Sequence, residues 1–357
     1  FKNHSFWSKP DPFMILAVGV GLVSCLMANR RGAWLLFGAA LGLAVNAKIT
    51  GAIYFLPLLA WQFERDGFRA VLVCGLTAML VAVLPFLSPS ISLLNYFAWL
   101  QSAGDHGLSF GLLIQNTLFV LFASIPILLF LLWEKRVEGA VSILAGHKLV
   151  TSASIIAVLL ILVAASKPGS GPHHFLPFLP LLAFLTASVI ERVVHTGSQH
   201  RWMAYVFWGP VAAMLIASSL KAGFAFYYGV RVVNSQAGAN QLIDEVASIT
   251  AKYPDRNVYM GYGDGSRYTR TFVRNYLAYA GHPYFIDAPA LMDFQLSGIE
   301  IPQATIDRML ADNNAVWLIP VGDEPFTILN WYFRFNEGFL FSDAFRDAFS
   351  RAFRKQD

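Results

Sequence analysis

Long apolar runs free of charge constrain this chain more than any other feature. No Asp, Glu, Lys or Arg occurs from Pro12 to Ala28, Ala70 to Leu87, Phe110 to Trp133 or Leu149 to Ala165. Each run is about long enough to cross the ~30 Å hydrocarbon core of a bilayer as a helix. Only 13% of the 357 residues are charged, against roughly 25% in soluble domains, so a membrane protein is expected. The 30 Phe, 9 Trp and 13 Tyr can supply interfacial belts. A net charge of +4 is small, and no nucleic-acid partner is expected. Cys25 and Cys74 both lie in apolar runs, so neither a disulfide framework nor a thiolate metal site is readable.

In order, a polar loop over residues 1–11 leads into the first run. Ala33–Phe63 is too long for one ordinary span and is interrupted by Asn46-Ala47-Lys48-Ile49-Thr50-Gly51. It reads as two short helices, 33–46 and 50–63, each about 21 Å long at 1.5 Å per residue. Such broken helices are tolerated where the freed backbone lines a cavity. After the charged turn 64–69 and the next span, Ile91–Gln101 reads as an amphipathic interfacial helix, followed by Gly104-Asp105-His106-Gly107. Further spans are expected at 110–133, 149–165, 175–190 and 202–220, about eight hydrophobic segments in all. The chain begins with Phe and shows no signal peptide; we expect it to lack its natural beginning, with whole helices upstream.

Orientation follows from the excess of Lys and Arg in cytoplasmic loops. One alternate set of loops carries Arg30, Arg31, Arg65, Arg69, Lys135, Arg136, Lys148, Arg192 and Arg201. The other carries only Lys2, Lys9, Lys48, Lys167 and Lys221, so the first set is read as cytoplasmic. Asp11, Lys48, Asp105, His106, Lys167, His173 and His174 are then expected together on the outer face.

From about Gly223 the pattern changes. Asn240–Lys252, Ser266–Ala280 and Gln303–Ala311 read as helices, and Asn257–Gly261, Tyr284–Asp287 and Ala315–Pro320 as strands. This alternation predicts a small α/β domain over 223–357 on the outer side, after a transmembrane module over 1–222. The tail Asp343–Lys355 reads either as a basic amphipathic helix on the membrane surface or as a solvated terminal helix. Gly261-Tyr262-Gly263-Asp264-Gly265-Ser266 has the look of a dinucleotide loop but reads better as a tight strand-to-helix turn. Arg267, Arg270 and Arg274 are open between a face towards headgroups or acceptor and a solvated helix face.

Three elements recur in a known order. Lys9-Pro10-Asp11-Pro12-Phe13 opens a helix. Gly42-Leu43-Ala44-Val45-Asn46-Ala47-Lys48-Ile49-Thr50-Gly51 breaks one. Lys167 through His174-Phe175-Leu176-Pro177-Phe178-Leu179-Pro180 starts another. Over roughly residues 7–185 the chain resembles the membrane glycosyltransferases of the GT-C fold, closest to the protein O-mannosyltransferase-like and lipid A aminoarabinose transferase-like branch. The resemblance implies inverting transfer of a sugar from a polyprenyl-phosphate carrier to a lipid, glycan or protein acceptor in the envelope. It implies the bacterial inner membrane, contact with membrane lipids, and no cofactor beyond the lipid-linked sugar donor as substrate. Asp11 matches the family's second acidic position and is the expected catalytic carboxylate. The first acidic residue, usually the base, would lie in a loop upstream of Phe1.

Each candidate also has a plainer reading. Asp11 before Pro12 suits a helix N-cap, although a charge at membrane depth is a functional signal. Lys48 either binds the lipid phosphate at the helix break or snorkels to the interface. Lys167, His173 and His174 either grip phosphate or acceptor, or are solvated. Asp105 and His106 form an acceptor-side acid/base pair or a bare turn. A His-His pair without further ligands nearby is not a zinc site, and no metal is expected. Two other functions suit the same features: a flippase or transporter for lipid-linked sugar, which also uses broken helices at bound anions, and a non-catalytic envelope scaffold.

Overall fold

The computed structural model describes residues 11–27, 30–134, 148–196, 201–234, 236–263, 272–283, 285, 288–330 and 338–354. The chain is mostly helical, with a small sheet, and divides into two compact units. The first runs to Leu94 and again over Leu108–Gly229; the second combines Asn95–Gly107 with Val230–Asp357.

The first unit is a helical bundle. Its helices α1 (Asp11–Leu26), α2 (Arg30–Ala47), α3 (Gly51–Asp66) and α4 (Phe68–Val83) are followed, after an excursion into the second unit, by α6 (Phe110–Glu134). Then come α7 (Lys148–Ala165), a 3-10 segment at Pro172–Phe178, α8 (Leu179–Thr196) and α9 (Arg201–Asn234). The break lies at residues 48–50, as the polar interruption predicts. The short helices on either side nevertheless extend to Arg30 and Asp66, because those ends pair with each other: Arg30 Nη1 lies 2.6 Å from Asp66 Oδ1. Trp34 Nε1 and Arg65 Nη2 also donate to the Asp66 carboxylate, and Arg65 donates to the Cys25 carbonyl. This network ties three helix ends together, and Glu64 joins it to α7 by accepting from the Leu149 N–H.

Small residues set the closest approach. A Cβ on Gly38 would lie 2.5 Å from the Cys74 carbonyl oxygen, and one on Gly42 2.6 Å from that of Ala78. The Gly-x-x-x-Gly face of α2 thus lets the α4 backbone come within contact distance, as small-residue helix pairs do. Met14, Val18, Phe37, Tyr54, Phe55, Leu58 and Ile161 fill the centre of the bundle. Its outside is apolar too: Leu72, Leu76, Met79, Leu80 and Val83 of α4 and Ile155, Leu159 and Val163 of α7 are exposed. Among the described residues two stretches are long and apolar enough to cross a membrane, Phe68–Leu87 and Lys148–Ala165, with mean hydropathy 2.5 and 2.3.

In the second unit α5 (Leu93–Gly104), α10 (Gln236–Lys252), α11 (Phe272–Tyr279), α12 (Ala288–Leu296), α13 (Gln303–Ala311) and α14 (Asp343–Ala352) surround two parallel strands. These are β1 (Asn257–Met260) and β2 (Ala315–Leu318), in register from Asn257 opposite Ala315 to Met260 opposite Leu318. Tyr259 Oη donates to Asp312 Oδ2 at 2.8 Å beneath them. Gly261 extends the pairing, and the buried Tyr262 then turns at φ 41°; from Asp264 on the glycine-rich stretch lies outside the described residues. The helix start at Ser266 and the expected strand at 284–287 lie outside the described residues, apart from Phe285, which is not in a strand.

One expectation changes, and one of the two readings of the tail falls away. Helix α9 runs unbroken through Gly223 to Asn234, since the composition shift there alters side chains without stopping the helix. The tail helix α14 does not offer its apolar face to a membrane: Phe345 and Phe349 are buried against Phe326, Phe341 and Trp317. The half-buried Arg274 lines a cavity of about 30 Å³ with Tyr259, Tyr262, Leu277 and Trp317, while Arg267 and Arg270 lie outside the described residues. That volume holds a water molecule or two.

Candidate functional site

Asp11 is the first residue of α1 and its side chain is 4% exposed. A carboxylate there gains from the helix dipole, but among the described residues its Oδ2 is buried without a hydrogen-bond partner. Capping therefore leaves that atom unused. Its Oδ1 faces Lys48 Nζ at 3.4 Å. Lys48 stands in the break between α2 and α3, where its N–H pairs with the Ala44 carbonyl and its own carbonyl accepts from Gly51. Gly51 is required there, because a Cβ would run into the Ala44 backbone.

The same ammonium lies 3.4 Å from His174 Nδ1. An ammonium only donates, so this contact is a hydrogen bond when Nδ1 accepts and the ring proton of His174 sits on Nε2. His173 and His174 are both buried in the 3-10 segment, with ring centroids 4.6 Å apart. Tyr54 of α3 donates its hydroxyl proton to the His174 carbonyl at 2.7 Å. Three segments far apart in sequence thereby bring a carboxylate, an ammonium and two imidazoles to one end of the bundle. The Arg30–Asp66–Arg65 network closes the other end.

Lys167 lies on the loop ahead of the histidines, where its carbonyl accepts from the Ser170 N–H. Asp105 and His106 belong to the second unit. Asp105 is exposed, while His106 Nε2 sits 3.9 Å from Asp293 Oδ1. That pair is anchored nearby by Trp99 stacked on Phe294 and by Ser102 Oγ 3.1 Å from Ser297 Oγ. Among the described residues no three His, Cys, Asp or Glu side chains are close enough together to hold a metal ion.

Two residues of these clusters escaped the sequence reading. Tyr54 had a faint signal, a lone hydroxyl in the apolar run Ile53–Leu59. Asp293 had none.

Outside the bundle, Asp312 shows how polar contacts act in the second unit. Burial opposes its ionisation, but hydrogen bonds from Tyr259, Asn257 and the Asn314 N–H outweigh burial and hold its carboxyl below the usual range. Burial, and then the bond to Asp312, push the Tyr259 phenol above its ordinary value. No family model, curated protein or solved structure matches this chain.

Proposed function

We propose that the chain is a polytopic membrane glycosyltransferase of the GT-C type. It moves a sugar from a polyprenyl-phosphate carrier to a lipid, glycan or protein acceptor at the outer face of the membrane, with inversion. The observation that supports this reading is the buried Asp11–Lys48–His174 constellation at the end of the bundle opposite Arg30 and Arg65. Apolar side chains around the bundle face lipid, and the Arg-rich end faces the cytoplasm.

Each group then has a chemical role. The Asp11 Oδ2 atom, buried and without a hydrogen-bond partner among the described residues, orients the acceptor hydroxyl or takes its proton. Lys48, with Lys167, His173 and His174, holds the donor phosphate and stabilises its charge as the sugar–phosphate bond breaks. Asp11 also balances the Lys48 ammonium before the phosphate arrives, which limits the cost of keeping that cation out of water. Asp105 and His106 lie on the acceptor side, and the α/β unit is extracytoplasmic.

The test follows the label of a radiolabelled polyprenyl-phosphate sugar in vesicles holding the membrane-embedded protein. Label joined covalently to an acceptor supports the transferase. Label that crosses the bilayer without transfer rejects it in favour of the flippase, and label that does neither rejects both.

A further inference from the structure

We propose that Tyr54 is a positioning residue: its hydroxyl fixes the His174 backbone, and through it the imidazole, against Lys48. The inference rests on reading Asp11, Lys48 and His174 as the transfer site.

His174 lies within the 3-10 segment Pro172–Phe178. In a 3-10 turn the carbonyl of residue 174 pairs with the N–H of residue 177, and residue 177 is a proline, which has none. A buried carbonyl must find its donor elsewhere, and the Tyr54 hydroxyl supplies one at 2.7 Å. Tyr54 is itself held firmly. It is fully buried, and its ring meets Phe178 edge-on, with centroids 5.0 Å apart and planes at 71°.

Tyr54 lies in the first turn of α3, just after the break that carries Lys48. One helix start therefore fixes both partners of the Nζ–Nδ1 contact, the lysine through the chain and the histidine through the phenol. Without the hydroxyl the 174 carbonyl loses the bond that ties it to α3, and the turn is free to rotate the imidazole away from Lys48.

The experiment uses the full chain in membranes and compares Tyr54→Phe with the unaltered protein. Phenylalanine keeps the ring against Phe178 and deletes one oxygen. Transfer from the polyprenyl-phosphate sugar is expected to fall roughly tenfold to a hundredfold, as for a misplacement of about 1 Å, with kcat falling more than KM rises. Nitrogen-15 NMR of His174 is expected to show the Nε2–H tautomer in the unaltered protein and a mixture of tautomers in the variant. Adding Pro177→Ala returns an N–H at residue 177 and is expected to restore both signals.

Tyr54→Phe with an unchanged His174 spectrum overturns the proposal, whatever the rate does. If Tyr54→Phe does not accumulate as folded protein, the Tyr54→Phe/Pro177→Ala double variant decides. Its return to the Nε2–H signal supports the role, and its failure to do so overturns it. Should the unaltered protein transfer no sugar, the transferase reading falls, and the NMR comparison still judges Tyr54.

Discussion

Replacing Lys48 by methionine removes a cation and keeps most of its stem. Nζ lies 3.4 Å from Asp11 Oδ1, the Asp11 side chain is 4% exposed, and its other oxygen has no hydrogen bond among the described residues. At an effective dielectric constant near 20 the attraction at that distance is about 5 kcal/mol, before the desolvation of either group is subtracted. Removing one partner of a buried pair strands the other, which typically costs about 3–5 kcal/mol. With roughly 2–4 °C of melting temperature per kcal/mol in a domain of this size, Lys48→Met should melt some 6–20 °C lower. Tryptophan fluorescence of the purified protein in detergent reads the transition. The control is Asp11→Asn combined with Lys48→Met. A neutral amide needs no cation, so the double variant should regain more than half of the loss. Lys48→Met melting with the unaltered protein, or a double variant no better than Lys48→Met, would refute the buried pair as a stabilised unit.

Gly42→Val drives a side chain into the Ala78 carbonyl and the Val81 side chain. Overpacking of this kind costs about 1–3 kcal/mol, read as a lower melting temperature of the first unit. Phe349→Ala empties part of the second unit's core and should cost about 3–5 kcal/mol while leaving binding to lipid vesicles unchanged; a loss of vesicle binding at full stability would return the tail helix to the membrane surface. The second unit also carries a pH signature. Because the folded Asp312 carboxyl lies below its usual range, its contribution is present above about pH 4 and is lost as pH falls through the depressed folded value. Asp312→Asn should remove that acid-side loss in a pH series of melting temperatures.

The helices were legible because charge-free runs leave few alternatives. The break was legible because Asn46, Lys48, Thr50 and Gly51 interrupt an apolar stretch that is too long for one span. That Asp11, Lys48 and His174 share one end of the bundle followed from counting helix directions, since an odd number of crossings separates each from the Arg30 and Arg65 end; that they touch did not. What the pattern lacked was partner identity. Phe345 and Phe349, one turn apart on α14, read alike whether their face meets lipid or Phe326 and Trp317. Helix α9 passed the expected boundary at 222 because a change in side-chain polarity breaks no backbone hydrogen bond. Tyr54 and Asp293 were hidden for a similar reason, since a single polar residue carries no periodicity and its contact depends on chain segments remote in sequence.

The most direct test of the proposed transfer site compares the unaltered protein with Asp11→Asn at equal amounts of folded protein, using a radiolabelled polyprenyl-phosphate sugar and counting labelled acceptor. An amide keeps the shape of the side chain but has lost the charge that orients or deprotonates a hydroxyl. The proposal predicts that transfer falls at least about a hundredfold, in line with the loss of a general base, while the labelled donor still binds. Transfer at the unaltered rate in Asp11→Asn would contradict it.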